Sequence, residues 1–176
     1  MTEQTIYNED WQIGTKRIAN NSVDLVVTDP PYGMEFQSNF RKEKHKSIQN
    51  DTNLDWLGGW VKELKRVCKD EAHLYIFCSW HHIDKFKQEV GALFNVKNIL
   101  IWEKNNHGSG DLLGDYAPKY EMILFCSNGT KKLKLGRDSN ILKAKKTGNE
   151  NKDLLEVIAT ILKDSLSPLK STCVSL

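Results

Sequence analysis

Val23-Asp24-Leu25-Val26-Val27-Thr28-Asp29-Pro30-Pro31-Tyr32 is a short, β-branched, mostly apolar run that stops at an acid and two prolines. Its composition is that of a strand. Proline has no N–H to give a sheet, and its ring restrains the backbone, so the strand ends here and the turn holds its carbonyls in fixed directions. Asp29, Pro30, Pro31 and Tyr32 therefore stand just past a strand end.

Working outward, Leu74 to Trp80, Asn98 to Trp102 and Glu121 to Cys126 read as further strands. Their apolar runs are continuous rather than alternating, which suits strands covered on both faces. Between them Trp56, Trp60, Leu64 and Val67 recur at helical spacing from Asp55 to Cys68. Ile83, Phe86, Val90 and Phe94 make a second helical stripe, and Leu154, Leu155, Ile158, Ile161 and Leu162 a third. Such amphipathic stripes pack on a sheet, so Trp56 and Trp60 are read as core. Strands alternating with helices predict an α/β domain with a mainly parallel sheet and flanking helices. Ligands of open sheets bind outside the carboxyl ends of the strands, where Asp29 to Tyr32 lie. Two long polar loops, Tyr32 to Asn53 and Lys104 to Pro118, have the length of functional segments.

The 176 residues, 39% hydrophobic and 27% charged, suit one ordinary globular domain. No run approaches the ~18 apolar residues of a membrane span, and the N-terminus has no secretory pattern; a cytoplasmic protein is expected. The four cysteines lack zinc-site spacing and are read as structural. His81-His82 lack further ligands, so no metal is expected and placement at a helix N-terminus is the better reading. His107 and Gly108-Ser109-Gly110 are read as surface loop. A net charge of +2 says little about partners. Cations do gather at Arg41, Lys42, Lys44 and Lys46, and from Lys131 to Lys134; such runs are usually solvated surface unless another feature implies DNA.

The Asp29 turn supplies that feature. The amino group of adenine or cytosine is a poor nucleophile because its lone pair is delocalised into the ring. A carboxylate and a backbone carbonyl can hold its hydrogens and favour a tetrahedral nitrogen, acting by position and charge. An aromatic side chain beside them gives a stacking face for a base swung out of the duplex.

Residues 23–34 resemble the catalytic motif of the amino-group (adenine-N6 or cytosine-N4) DNA methyltransferases. The order is similar to the subgroup in which this motif precedes the cofactor motif. Ser47 to Asp51, Leu64 to Lys69, Ile101 to Asn106 and Tyr116 to Phe125 extend the likeness over roughly residues 5–145. The resemblance implies a Rossmann-like methyltransferase fold, S-adenosylmethionine as methyl donor and duplex DNA as partner. It implies that Asp29 and the Pro30 carbonyl bind the target amine, that Tyr32 stacks on the base and that Asp29 touches the methionine end of the cofactor. Arg41, Lys42, Lys44 and Lys46 become candidate phosphate contacts. The subgroup continues with a histidine-proline segment and a glycine-rich cofactor turn; Thr147 to Lys152 stands in place of the first, and no such turn follows.

The expectation is thus a C-terminally truncated fold, one domain over 1–165 with a divergent tail over 166–176. The first strand would lack a sheet neighbour, leaving a homodimer, a complementing chain or the tail itself to cover it. The expected function is transfer of a methyl group to an exocyclic base amine, adenine N6 favoured over cytosine N4. The alternative is a disabled scaffold that binds nucleic acid or inhibits a nucleic-acid enzyme.

Overall fold

The computed structural model describes residues 5–32, 53–104, 114, 116–134, 136, 138–143, 150–165 and 173–175. Strand β1 (Val23–Thr28) has the ends read from the sequence. It pairs in parallel with β2 (Cys68–Cys78) on one side and with β6 (Cys173–Ser175) on the other. Beyond β2 lie β4 (Tyr120–Asn128), β3 (Asn95–Glu103) and β5 (Ile141–Lys143), giving the order β5-β3-β4-β2-β1-β6. β4 is antiparallel to both neighbours, while β3 and β5 pair in parallel. Among the described strands β4 alone runs against the rest, so the sheet is mixed but mainly parallel.

β1 does not lack a sheet neighbour, because the tail, one of the covers expected for it, supplies a strand. Leu25, Val26 and Val27 are level with Cys173, Val174 and Ser175. A buried strand cannot leave its outer N–H and C=O groups unpaired without cost, and the last residues of the chain meet them. The second strand also begins earlier than read, because Cys68 already takes extended backbone as α2 ends. It stops at Cys78, which leaves Trp80 in a turn rather than a strand.

A short α1 (Trp11–Gly14), capped by the Asp10 side chain, precedes the sheet. Arg66 of α2 (Leu57–Val67) ties this region down, donating to the carbonyls of Thr15 at 2.7 Å and Ile18 at 3.0 Å. α2 and α3 (Ile83–Gly91) cover one sheet face, and α4 (Glu150–Ser165) covers the other. The alternation of β2 divides the core: Ala72, Leu74 and Ile76 meet Trp60, Leu64 and Phe86, while Tyr75 and Phe77 meet Val157 and Ile161. Trp60 is core as read, with Trp56 packed edge-on against it at 5.7 Å. β3 departs from the fully covered reading: Trp102 is buried, but most of the strand is half-exposed. Cys68, Cys78 and Cys126 are free and buried, and burial pushes each thiol up to about 12, so they are inert apolar filler. Among the described residues no helix is long and apolar enough to cross a membrane.

A buried polar relay anchors the end of α4. His73 Nε2 lies 3.2 Å from the Lys131 carbonyl, which can only accept, so the proton sits on Nε2. Nδ1 therefore accepts from the Ser165 hydroxyl at 3.0 Å, and Ser165 in turn accepts from the Tyr75 hydroxyl at 2.9 Å. Burial holds the His73 pKa below the ordinary 6.5 of histidine. Below that pH the unfolded chain takes up a proton that the folded chain resists. The contribution of His73 to stability is therefore complete above about pH 6.5 and falls away as the pH drops further. Urea unfolding between about pH 7 and 5 should show a steeper loss for wild type than for His73→Gln; equal slopes would remove His73 from the acid sensitivity.

Candidate active site

The β1–β2 register pairs Thr28 with Ile76, so the next residues of β1 reach the sheet edge beside Phe77 and Cys78. Pro30 is buried there, Pro31 and Tyr32 are half-buried, and Asp29 is exposed. The Tyr32 hydroxyl donates to Asp29 Oδ1. Its ring packs against the α4-side core of Leu25, Val27, Phe77 and Trp102. The catalytic candidates Asp29, Pro30, Pro31 and Tyr32 are thus gathered at one strand end, as their sequence predicts.

The electrostatics of the turn are set by crowding. Although Asp29 touches solvent, the atoms packed round its carboxyl displace enough water to push its pKa up. The hydrogen bond from Tyr32 and the charge of Lys104 offset part of that rise. Burial, then the charge and hydrogen bond of Asp29, hold the Tyr32 phenol far above its usual range, so it remains a neutral donor. A carboxylate has two oxygens, and the Tyr32 bond engages Oδ1; the turn can therefore offer Oδ2 to an amine.

Three residues join the site that sequence reasoning missed. Lys104, just past β3, ion-pairs with Glu121 of β4 and places its Nζ 5.3 Å from the Trp102 ring centroid. Glu121 also bears on Tyr32, and Lys104 on Asp29. The available signal was a cation directly after an apolar strand and one acid within another. Their meeting depends on the β3–β4 register, which pairs Trp102 with Glu121.

Other candidates fare differently. Arg41, Lys42, Lys44 and Lys46, nominated for nucleic-acid contact, lie outside the described residues, as do His107 and Gly108-Ser109-Gly110. His82 is the N-cap of α3, in line with the helix N-terminal reading. Among the described residues no group of three or more His, Cys, Asp or Glu is placed to hold a metal ion.

Residues 23–169 match the family model of the N6/N4 DNA methylases, a span that opens on β1 and contains this whole turn. The chain belongs to that DNA methylase family. It is 29% identical over 147 residues to the DNA adenine methyltransferase YhdJ of Escherichia coli, a match covering 84% of this chain and 48% of YhdJ. The chain thus spans about half the length of that relative. The structure of PvuII DNA methyltransferase (cytosine-N4-specific) superposes with a TM-score of 0.63 at 12% identity, over 92% of this chain and 69% of that one. The M1.HpyAVI complex with SAM superposes at 0.57 and 20% identity, over 89% and 70% respectively. These two structures share the Rossmann-like fold of the methylase family.

Loss of the Tyr32 hydroxyl removes a donor that favours the charged form of Asp29, so Tyr32→Phe should raise the Asp29 pKa further. Titration of the Asp29 carboxyl carbon by NMR reads this directly. An unchanged or lower pKa in Tyr32→Phe would show that the bond has no hold on the carboxylate.

Proposed function

We propose that this chain carries the target-base side of a DNA amino-methyltransferase, with adenine N6 favoured over cytosine N4. The observation that carries the reading is a crowded Asp29 carboxylate hydrogen-bonded to a neutral Tyr32 at the carboxyl edge of the sheet. The adenine preference rests on YhdJ, the adenine-specific relative matched over most of this chain.

In this reading the target base leaves the duplex and stacks on Tyr32, at the cost of its unpairing and unstacking. Asp29 Oδ2 and the Pro30 carbonyl accept the two amine hydrogens, drawing the nitrogen lone pair out of the ring. S-adenosylmethionine, when bound, would supply the methyl group by cleavage of its sulfonium S–CH3 bond, leaving as the neutral thioether. As the nitrogen gains its methyl, the departing proton passes to Asp29, whose raised pKa suits it to accept one, and then to solvent. Duplex DNA is the substrate, and the charged segment with Arg41, Lys42, Lys44 and Lys46 supplies phosphate contacts.

The residues present fit one end of the cofactor. Asp29 offers a carboxylate to the sulfonium, an attraction between opposite charges. The nucleoside end calls for close backbone approach of the glycine kind. The last glycine of the sequence is Gly148. Among the described residues Gly129 and Gly136 are the glycines with positive φ, and Gly129 follows β4 at the sheet edge opposite Asp29. The proposal therefore leaves the nucleoside contacts to residues other than Gly129.

Transfer of a labelled methyl group to duplex DNA tests the reading, with the chain alone and with the half of YhdJ that it does not match. Transfer is expected in at least one condition. Asp29→Ala should abolish it while leaving the far-ultraviolet circular dichroism unchanged. Full activity in Asp29→Ala would remove the catalytic assignment. Folded protein that transfers no methyl group in either condition would instead be a disabled scaffold, a nucleic-acid-binding module if it still binds duplex and an inhibitor of a nucleic-acid enzyme if it does not.

A further inference from the structure

Trp80 is 55% exposed at the end of β2, in a turn that the catalytic reading leaves without a role. Its indole stacks on the His81 ring, centroids 3.9 Å apart and planes inclined by 30°. The turn is tied down around Ser79. The Ser79 hydroxyl oxygen accepts the His81 backbone N–H at 3.3 Å and lies 3.0 Å from His81 Nδ1. The Ser79 carbonyl accepts the His82 N–H at 3.2 Å. His82 then caps α3. The ring pair is thus held by polar bonds of the turn, while one of the largest apolar side chains is left facing water. An exposed tryptophan with a fixed partner is a preformed flat surface that loses little freedom on binding.

Its position gives that surface a use. The β1–β2 register sets Cys78 beside the Asp29 turn, and the Cys78 thiol feels the Asp29 charge. Trp80 follows two residues later, within about 7 Å of Cys78 along the backbone. The stacked pair therefore stands on the same edge of the sheet as Asp29 and Tyr32. Every nucleobase has a π face, so a rigid aromatic at this edge can take a base whatever its identity.

We propose that the Trp80–His81 pair is a second stacking platform for DNA, holding a base other than the target beside the catalytic turn. Trp80 is then a positioning residue for the substrate, outside the reacting atoms. The proposal rests on the DNA-methyltransferase reading above.

Binding of a fluorescein-labelled duplex of mixed sequence, followed by anisotropy, tests it on wild type, Trp80→Ala, Trp80→Phe and His81→Ala. Trp80→Ala should weaken binding about tenfold, the range of one base–aromatic stack, and Trp80→Phe should restore most of it. Under the transfer conditions above, KM for DNA should rise in Trp80→Ala with kcat little changed, and the melting temperature should hold. Unchanged DNA affinity in Trp80→Ala, alongside Asp29→Ala that no longer methylates, overturns the platform and leaves the enzyme reading standing. Loss of S-adenosylmethionine binding with normal DNA binding overturns it in favour of a cofactor contact. Loss of self-association in Trp80→Ala with unchanged DNA affinity overturns it in favour of a protein contact. A wild type that neither binds duplex nor methylates it removes the enzyme reading, and the platform with it.

Discussion

Two adjacent prolines govern where the chemistry of this chain can stand. Pro30 and Pro31 have no N–H for a ladder, so β1 stops at Thr28 although its neighbour β2 runs on to Cys78. The strand that leads into them is buried on both faces and paired on both edges. Its end is therefore fixed by the whole sheet, and the turn inherits that rigidity. Moving β1 by one residue would exchange Val26, which faces α2 and α3, with Val27, which faces α4, and disrupt both cores. The position of Asp29 is set by hydrophobic packing some distance from it.

Around that fixed turn, three strand ends bring their charges together. Lys104 lowers the Asp29 pKa, but its ammonium is also paired with Glu121, so its pull is divided. Tyr32 stays neutral because burial, and after it the anionic neighbours Asp29 and Glu121, oppose its ionisation. The outcome is a carboxyl group with a raised proton affinity, a neutral aromatic donor beside it and a lysine restrained from binding it outright. Crowding is the dominant influence on both titrating groups, so these properties follow from packing more than from the ion pair.

Legibility in the sequence followed periodicity. β1 and the α2 stripe of Trp60, Leu64 and Val67 were readable because burial on one or both faces leaves a pattern of period or composition. The start of β2 was not, since Lys69-Asp70-Glu71 looks like loop and becomes strand by continuing from the end of α2. The reversal of β4 was hidden for a different reason: a buried antiparallel strand shows the same continuous apolar run as a parallel one. β5 and β6 are three residues each and carry no period at all. In the site, Asp29, Pro30, Pro31 and Tyr32 were legible because they are contiguous. Lys104 and Glu121 are 17 residues apart in sequence and meet through the β3–β4 ladder, which no local pattern specifies.

The α4 side of the sheet connects these observations. Ser165, at the end of that helix, is bonded to His73 and Tyr75 in the middle of β2, level with Leu25 and Val27. Val157 and Ile161 seal the same helix over Leu25 and Val27. Beyond this anchored helix lies β6, which runs parallel to β1 and toward the Asp29 edge. Ser175 is level with Val27, so β6 is aimed at the catalytic turn from the side opposite β2. On the enzyme reading this divides the labour across β1. The β2 side carries Trp80 and the strand ends that crowd Asp29 and Tyr32, while the other side carries β6. Asp29 lies between the two, where an amine held by one side and a methyl donor held by the other would have to meet.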